Sequence, residues 1–98
     1  MVTEFSLGRF EPFLGQAFEI GEGPGAVSAV LIDAINLREA QGVGYLSRQF
    51  SLVWRGPRNA RLEQGIYPVR HPELGTMELF LVCIGPDAEG MRYEAVFT

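Results

Sequence analysis

Apolar and polar side chains alternate in short runs along most of this chain. Over residues 49–55, Phe50, Leu52 and Trp54 take one set of alternate positions and Ser51 and Arg55 the other, with Val53 as the exception on the second set. Successive strand side chains point to opposite faces, so the run predicts a β-strand with Trp54 turned inward. Residues 92–97 repeat the pattern, with Tyr93, Ala95 and Phe97 opposing Arg92 and Glu94. Residues 66–70 put Tyr67 and Val69 together. Further strands are expected over residues 17–20, 27–37 and 76–84. Gly- and Pro-rich turns separate them at 21–25, 41–44, 56–59, 71–75 and 85–90.

Six strands at this spacing predict an all-β fold, a single antiparallel barrel or two-layer sandwich in a meandering order. Phe50, Leu52, Trp54, Tyr67, Val69, Leu79, Leu81, Tyr93, Ala95 and Phe97 are expected to form one contiguous core. The indole N–H of Trp54 then needs an acceptor or a place at the rim. Strands 27–37 and 77–84 are apolar on both faces, whereas a half-buried antiparallel strand normally wets one. A cover is therefore required. Phe5, Leu7, Phe10, Phe13, Leu14 and Phe18 crowd the first eighteen residues. Phe10, Phe13, Leu14, Ala17 and Phe18 repeat at helical spacing, Pro12 suits a first helical turn, and Gly15 weakens the helix. A short helical or irregular lid over one sheet face is expected. The rival cover is a subunit interface, which makes a second copy of the chain a candidate partner.

Length fits this picture, since 98 residues suit one domain, 1–98. The single cysteine, Cys83, excludes an internal disulfide and suits a reducing, cytoplasmic compartment. Glu4, Arg9 and Glu11 interrupt the N-terminus, unlike a secretory signal, and the apolar stretch 26–37 is too short for a membrane helix. The formal net charge is −4, and all eight basic residues are arginines. That balance argues against nucleic acid as a partner, because phosphate neutralisation needs a basic face.

Chemistry is sparse. Arg55, Arg58 and Arg61 share one turn whose charge is unopposed along the sequence until Glu63. They are candidates to grip a phosphate, a carboxylate or a partner protein, although such runs are usually solvated. His71, the only histidine, has no local partner, and a catalytic histidine must be oriented by other groups. Cys83 sits between Val82 and Ile84 and reads as a small core residue. Asp33 interrupts an apolar strand, so it either faces solvent at a bulge or is buried and paired with an arginine. The sequence at 21–25 lacks the spacing of a phosphate loop. No catalytic, cofactor-binding or metal-ligating residue is assigned.

Several phrases in a fixed order carry a resemblance. They are Phe13-Leu14-Gly15-Gln16, Phe50-Ser51-Leu52 with Gly56-Pro57, Leu62-Glu63-Gln64-Gly65-Ile66-Tyr67, His71-Pro72-Glu73-Leu74-Gly75, Phe80-Leu81-Val82 and Tyr93-Glu94-Ala95-Val96-Phe97. Together they resemble a family of short bacterial all-β domains of uncharacterised function. The chain departs from it near Cys83, where the family has a proline. The resemblance implies genomic company with phage-tail-like proteins carrying collar domains, and it transfers no catalytic residue. The leading expectation is a non-enzymatic protein-interaction or assembly module, a phage-tail-like accessory with an unidentified protein partner and no membrane. The alternatives are a small-molecule-binding barrel and an enzyme with an unrecognised site.

Overall fold

The computed structural model describes residues 7–36 and 49–97. Phe5, Leu37 and the turn expected at 41–44 lie outside the described residues. A helical turn, α1 (Leu7–Phe10), runs into a 3₁₀ turn at Glu11–Phe13. Six strands follow: β1 (Ala17–Ile20), β2 (Val27–Asn36), β3 (Phe50–Gly56), β4 (Gly65–His71), β5 (Gly75–Pro86) and β6 (Met91–Phe97).

The strands close into a barrel in the order β1-β2-β3-β6-β5-β4, every neighbour antiparallel. Of the two architectures the alternation allows, the chain takes the barrel, which leaves no sheet edge. The order is not a simple meander. Residues 57–64 carry the chain from β3 to β4, and β4 then pairs with β1, giving a Greek key. Alternation reports which face of a strand is inward and carries no information about which strand lies beside it.

The interior is packed solid. Trp54, Tyr93, Phe50, Ile20, Leu31, Leu52, Leu81 and Val69 are fully buried, as a barrel of few strands requires. Trp54 points inward as the register demands, and its indole meets the ring of Phe18 edge-on at 5.6 Å. Among the described residues its Nε1 has no acceptor, and the indole is fully buried and not at the rim. Tyr67 and Phe97 are half-buried at the margin of the core. Strand β3 departs from the expected wet outer face, because Ser51 and Val53 are buried along with Phe50, Leu52 and Trp54.

The N-terminal segment is a plug for one barrel end instead of a lid over a sheet face. Phe10 is fully buried against Phe50 (6.0 Å) and Phe97 (5.9 Å), where β3 begins and β6 ends. Those two rings stack at 4.4 Å. The helix is one turn long, with Pro12 and then Gly15 following it, so the apolar stripe cannot extend across a sheet. Hydrogen bonds from Gly15 N to Leu31 O (2.8 Å) and from Leu31 N to Gln16 O (3.0 Å) fix the segment to β2. Leu14 consequently points outward, 43% exposed.

The barrel is closed by its shortest ladder. Between β1 and β4 only Glu19↔Arg70 and Ile20↔Val69 pair. Proline bounds this seam on both sides. Gly21 N donates to Pro68 O at 2.9 Å, but Pro68 has no N–H to return. Arg70 replaces it: its Nη2 donates to Gly21 O at 2.8 Å, while its Nε donates to Glu19 Oε1 at 3.0 Å. Beyond Arg70, Pro72 again has no donor, and the strands part.

The plug generates a contrast between neighbours. Phe10→Ala should destabilise the domain by about 3–5 kcal/mol, the usual cost of emptying a buried phenylalanine site. Leu14→Ala should stay within about 0.5 kcal/mol. Denaturant unfolding measures both, and equal costs would show that Phe10 does not plug the barrel.

Candidate functional site

The arginine turn lies at the barrel end opposite the plug. Its charge is opposed across space by the β5–β6 hairpin, which the sequence alone places 30 residues away. Arg55 engages both carboxylate oxygens of Asp87, donating from Nε to Oδ1 at 3.1 Å and Oδ2 at 2.9 Å and from Nη2 to Oδ2, and it also faces Glu89 at 3.8 Å. Arg58 Nη1 donates to the carbonyl oxygens of Asp87 (3.4 Å) and Ala88 (3.0 Å). Arg61 is exposed and does not join them. The three candidates are therefore divided: two clamp the hairpin and the third faces water.

Asp87 organises that clamp. Its Oδ1 accepts from Glu89 N (2.9 Å) and Gly90 N (3.0 Å), and its own N–H donates to Gly90 O at 2.8 Å. The hairpin then lies so close to β3 that a Cβ on Gly90 would meet Gly56 O at 2.1 Å. Only glycine fits there. The Tyr93 hydroxyl holds the crossing segment from below, donating to Ala60 O (3.0 Å) and accepting from Leu62 N (3.2 Å). Burial pushes the Tyr93 phenol above its ordinary range. The sequence signal for Asp87 was its place in a Pro-Asp-x-x-Gly turn, where aspartate bonds the backbone ahead of it.

His71 is buried between Phe13 (4.7 Å) and Phe18 (4.8 Å) near the plugged end. The fold supplies the partners that the local sequence lacks. Nδ1 accepts from Glu73 N at 3.1 Å, so the ring carries its proton on Nε2 and donates to Gln16 Oε1 at 2.7 Å. Gln16 lies 55 residues away in sequence, which is why no motif reveals it. Beside His71, where β1 and β4 part, an open cleft of about 460 Å³ is lined by Phe18, Ser28, Arg70 and Thr76. Both ring nitrogens are already engaged, so the histidine presents no free donor or acceptor to the cleft.

Cys83 is half-buried, its Sγ 3.5 Å from Met91 Sδ. Asp33 takes the first of its two expected placements. The β2–β3 register shifts between Leu31 and Asp33, and the bulge turns the carboxylate outward, where Oδ1 accepts from Ala34 N at 3.0 Å. Among the described residues no group of His, Cys, Asp and Glu could hold a metal ion. No helix among them is long and apolar enough to cross a membrane.

The outer face of β4, β5 and β6 is the remaining surface of note, and no single motif marks it. Ile66 is 68% exposed, Phe80 53% and Val96 54%. Ile66 and Phe80 are ladder partners. Phe80 and Val96 each lie two residues beyond the Val82↔Glu94 pair on the same outward side. The sequence signal was the two-sided strand over 77–84, whose second face proves to be open.

The clamp sets a pH dependence. Asp87 is held down at about 2 from an ordinary 3.8, first by the Arg55 hydrogen bond and next by the Glu89 N–H. A carboxylate lowered in the folded state adds stability above its unfolded value and loses it as the folded value is approached from above. Wild-type stability should therefore fall between pH 3.8 and about 2, and Asp87→Asn should flatten that part of the curve. Thermal melts across this window test it; parallel curves for the two proteins would contradict the clamp.

Residues 5–97 match the family model of a domain of unknown function, DUF6916. No curated protein and no solved structure gives a significant match. The family match takes in all six strands, the plug and the Arg55–Asp87 clamp. This chain belongs to the DUF6916 family of domains of unknown function.

Proposed function

We propose that the domain is a non-enzymatic protein-interaction or assembly module that receives its partner on the outer face of β4, β5 and β6. The carrying observation is the exposure of Ile66, Phe80 and Val96 on adjoining strands. Contiguous apolar surface of this kind marks contact sites on soluble domains. Among the described residues Trp54, Tyr93 and Phe50 fill the interior, and the segments 7–16 and 57–64 cross its ends. The polar groups that the sequence nominated serve the fold: Arg55 and Arg58 hold a hairpin, and His71 holds Gln16. A reducing cytoplasm suits the lone Cys83 thiol. An accessory role in a phage-tail-like assembly, as the family resemblance implies, is the setting in which such a module would act.

A second reading rests on the cleft beside His71, which has the volume for a small ligand. Site-specific photo-crosslinking in cells separates the two. A photoreactive residue at position 80 should give a discrete protein adduct, and one at position 76, on the cleft, should give none. Adducts from position 76 alone, or from neither, would overturn the module reading. Phe80→Ser should abolish the partner contact while costing the domain no more than about 1 kcal/mol, since the ring is half in water.

A further inference from the structure

We infer that the partner on this face is a different protein, presenting bulky apolar side chains flanked by lysine or arginine, and not a second copy of this chain. This rests on the module reading above and adds the partner's chemistry to it. Charged residues border the patch. On β5 the outward positions run Glu78, Phe80, Val82; on β6 they run Arg92, Glu94, Val96, with the Arg92 guanidinium turned to Ile84 O at 3.5 Å and away from the patch. Pro68 pairs with Glu78 and Ile66 with Phe80, while Val82 pairs with Glu94. The strands are antiparallel, so the two glutamates border the apolar patch at opposite ends.

Among the described residues neither glutamate has an ion-pair partner. The ion pairs among the described residues use Glu19, Asp87 and Glu89. Their basic partners, Arg55 and Arg70, are committed elsewhere. A protein docking on Phe80 brings both carboxylates to the rim of the contact, where an unmatched charge costs affinity and a matched one sets orientation and on-rate. A two-fold copy would bring glutamates toward glutamates, between chains that each carry a formal charge of −4. A basic partner meets them with opposite charge. Residues two apart in an extended strand are about 7 Å apart. The fitting segment is therefore extended, with a basic residue two positions from its apolar anchor.

Three short synthetic peptides test this on the full chain, each with serine at every even position and, at the odd positions, valine alternating with lysine, valine alternating with glutamate, or serine alternating with lysine, so that the two residues of each pair share one strand face. Amide shifts of Phe80, Val82, Glu94 and Val96 report binding, and sedimentation velocity of the protein alone reports self-association. The valine–lysine peptide should shift these amides and weaken by about tenfold or more from low to high salt. The serine–lysine peptide should bind at least about tenfold more weakly, since charge alone is screened. The valine–glutamate peptide should not bind until Glu78→Lys and Glu94→Lys are combined. An unchanged near-ultraviolet spectrum shows that this double variant is folded. Equal binding of both valine peptides, lost together in Phe80→Ser, would overturn the basic partner and leave the module reading standing. A concentration-dependent dimer dispersed by Phe80→Ser would overturn it in favour of a second copy. No binding by any peptide, with no self-association, would overturn both readings.

Discussion

Two ladder pairs convert this sheet into a barrel. If Glu19↔Arg70 and Ile20↔Val69 did not form, β1 and β4 would be the bare edges of an open six-stranded sheet. The seam is short because proline occupies both positions where β4 would donate to continue it. Arg70 makes the closure workable. One guanidinium supplies the hydrogen bond that Pro68 cannot give to Gly21 O and also binds Glu19 on the facing strand. Closure then fixes the circumference of the barrel, the circumference fixes the interior volume, and Trp54, Tyr93 and Phe50 fill that volume. The plug depends on the same closure, because Phe10 needs a closed end to occupy.

The outer surface divides along the same lines. Ser28, Glu19, Arg70 and Thr76 are consecutive cross-strand partners from β2 through β1 and β4 to β5, forming a polar row over the seam. On β4, β5 and β6, Ile66, Phe80 and Val96 form the apolar counterpart. The seam is thus held by the Glu19–Arg70 pair, while the free apolar surface lies on the β4–β5 ladder and on β6 past the end of the β5–β6 ladder.

Local pattern made the interior legible. Phe50, Leu52 and Trp54 alternate with residues of another kind, and strand geometry alone turns them inward. The turns were equally legible from glycine and proline. What the pattern could not carry was anything set by strand neighbours. The return of β4 to β1, the pairing of Arg55 with Asp87 and the seating of His71 on Gln16 join residues 32 to 55 positions apart. Each follows from the Greek-key order, which alternation does not encode. For the apolar N-terminus, composition shows that the segment must be buried and not which opening it fills.

The central claim, closure through a short seam completed by a side chain, is tested most directly by native-state amide hydrogen exchange at Gly21, whose N–H bonds Pro68 O across the seam. Exchange at Gly21 should be faster than at Leu52 and Trp54 of β3. Arg70→Ala should accelerate Gly21 selectively and leave β3 unchanged. Exchange at Gly21 as slow as at Trp54, and indifferent to the loss of Arg70, would show that the barrel does not depend on this seam.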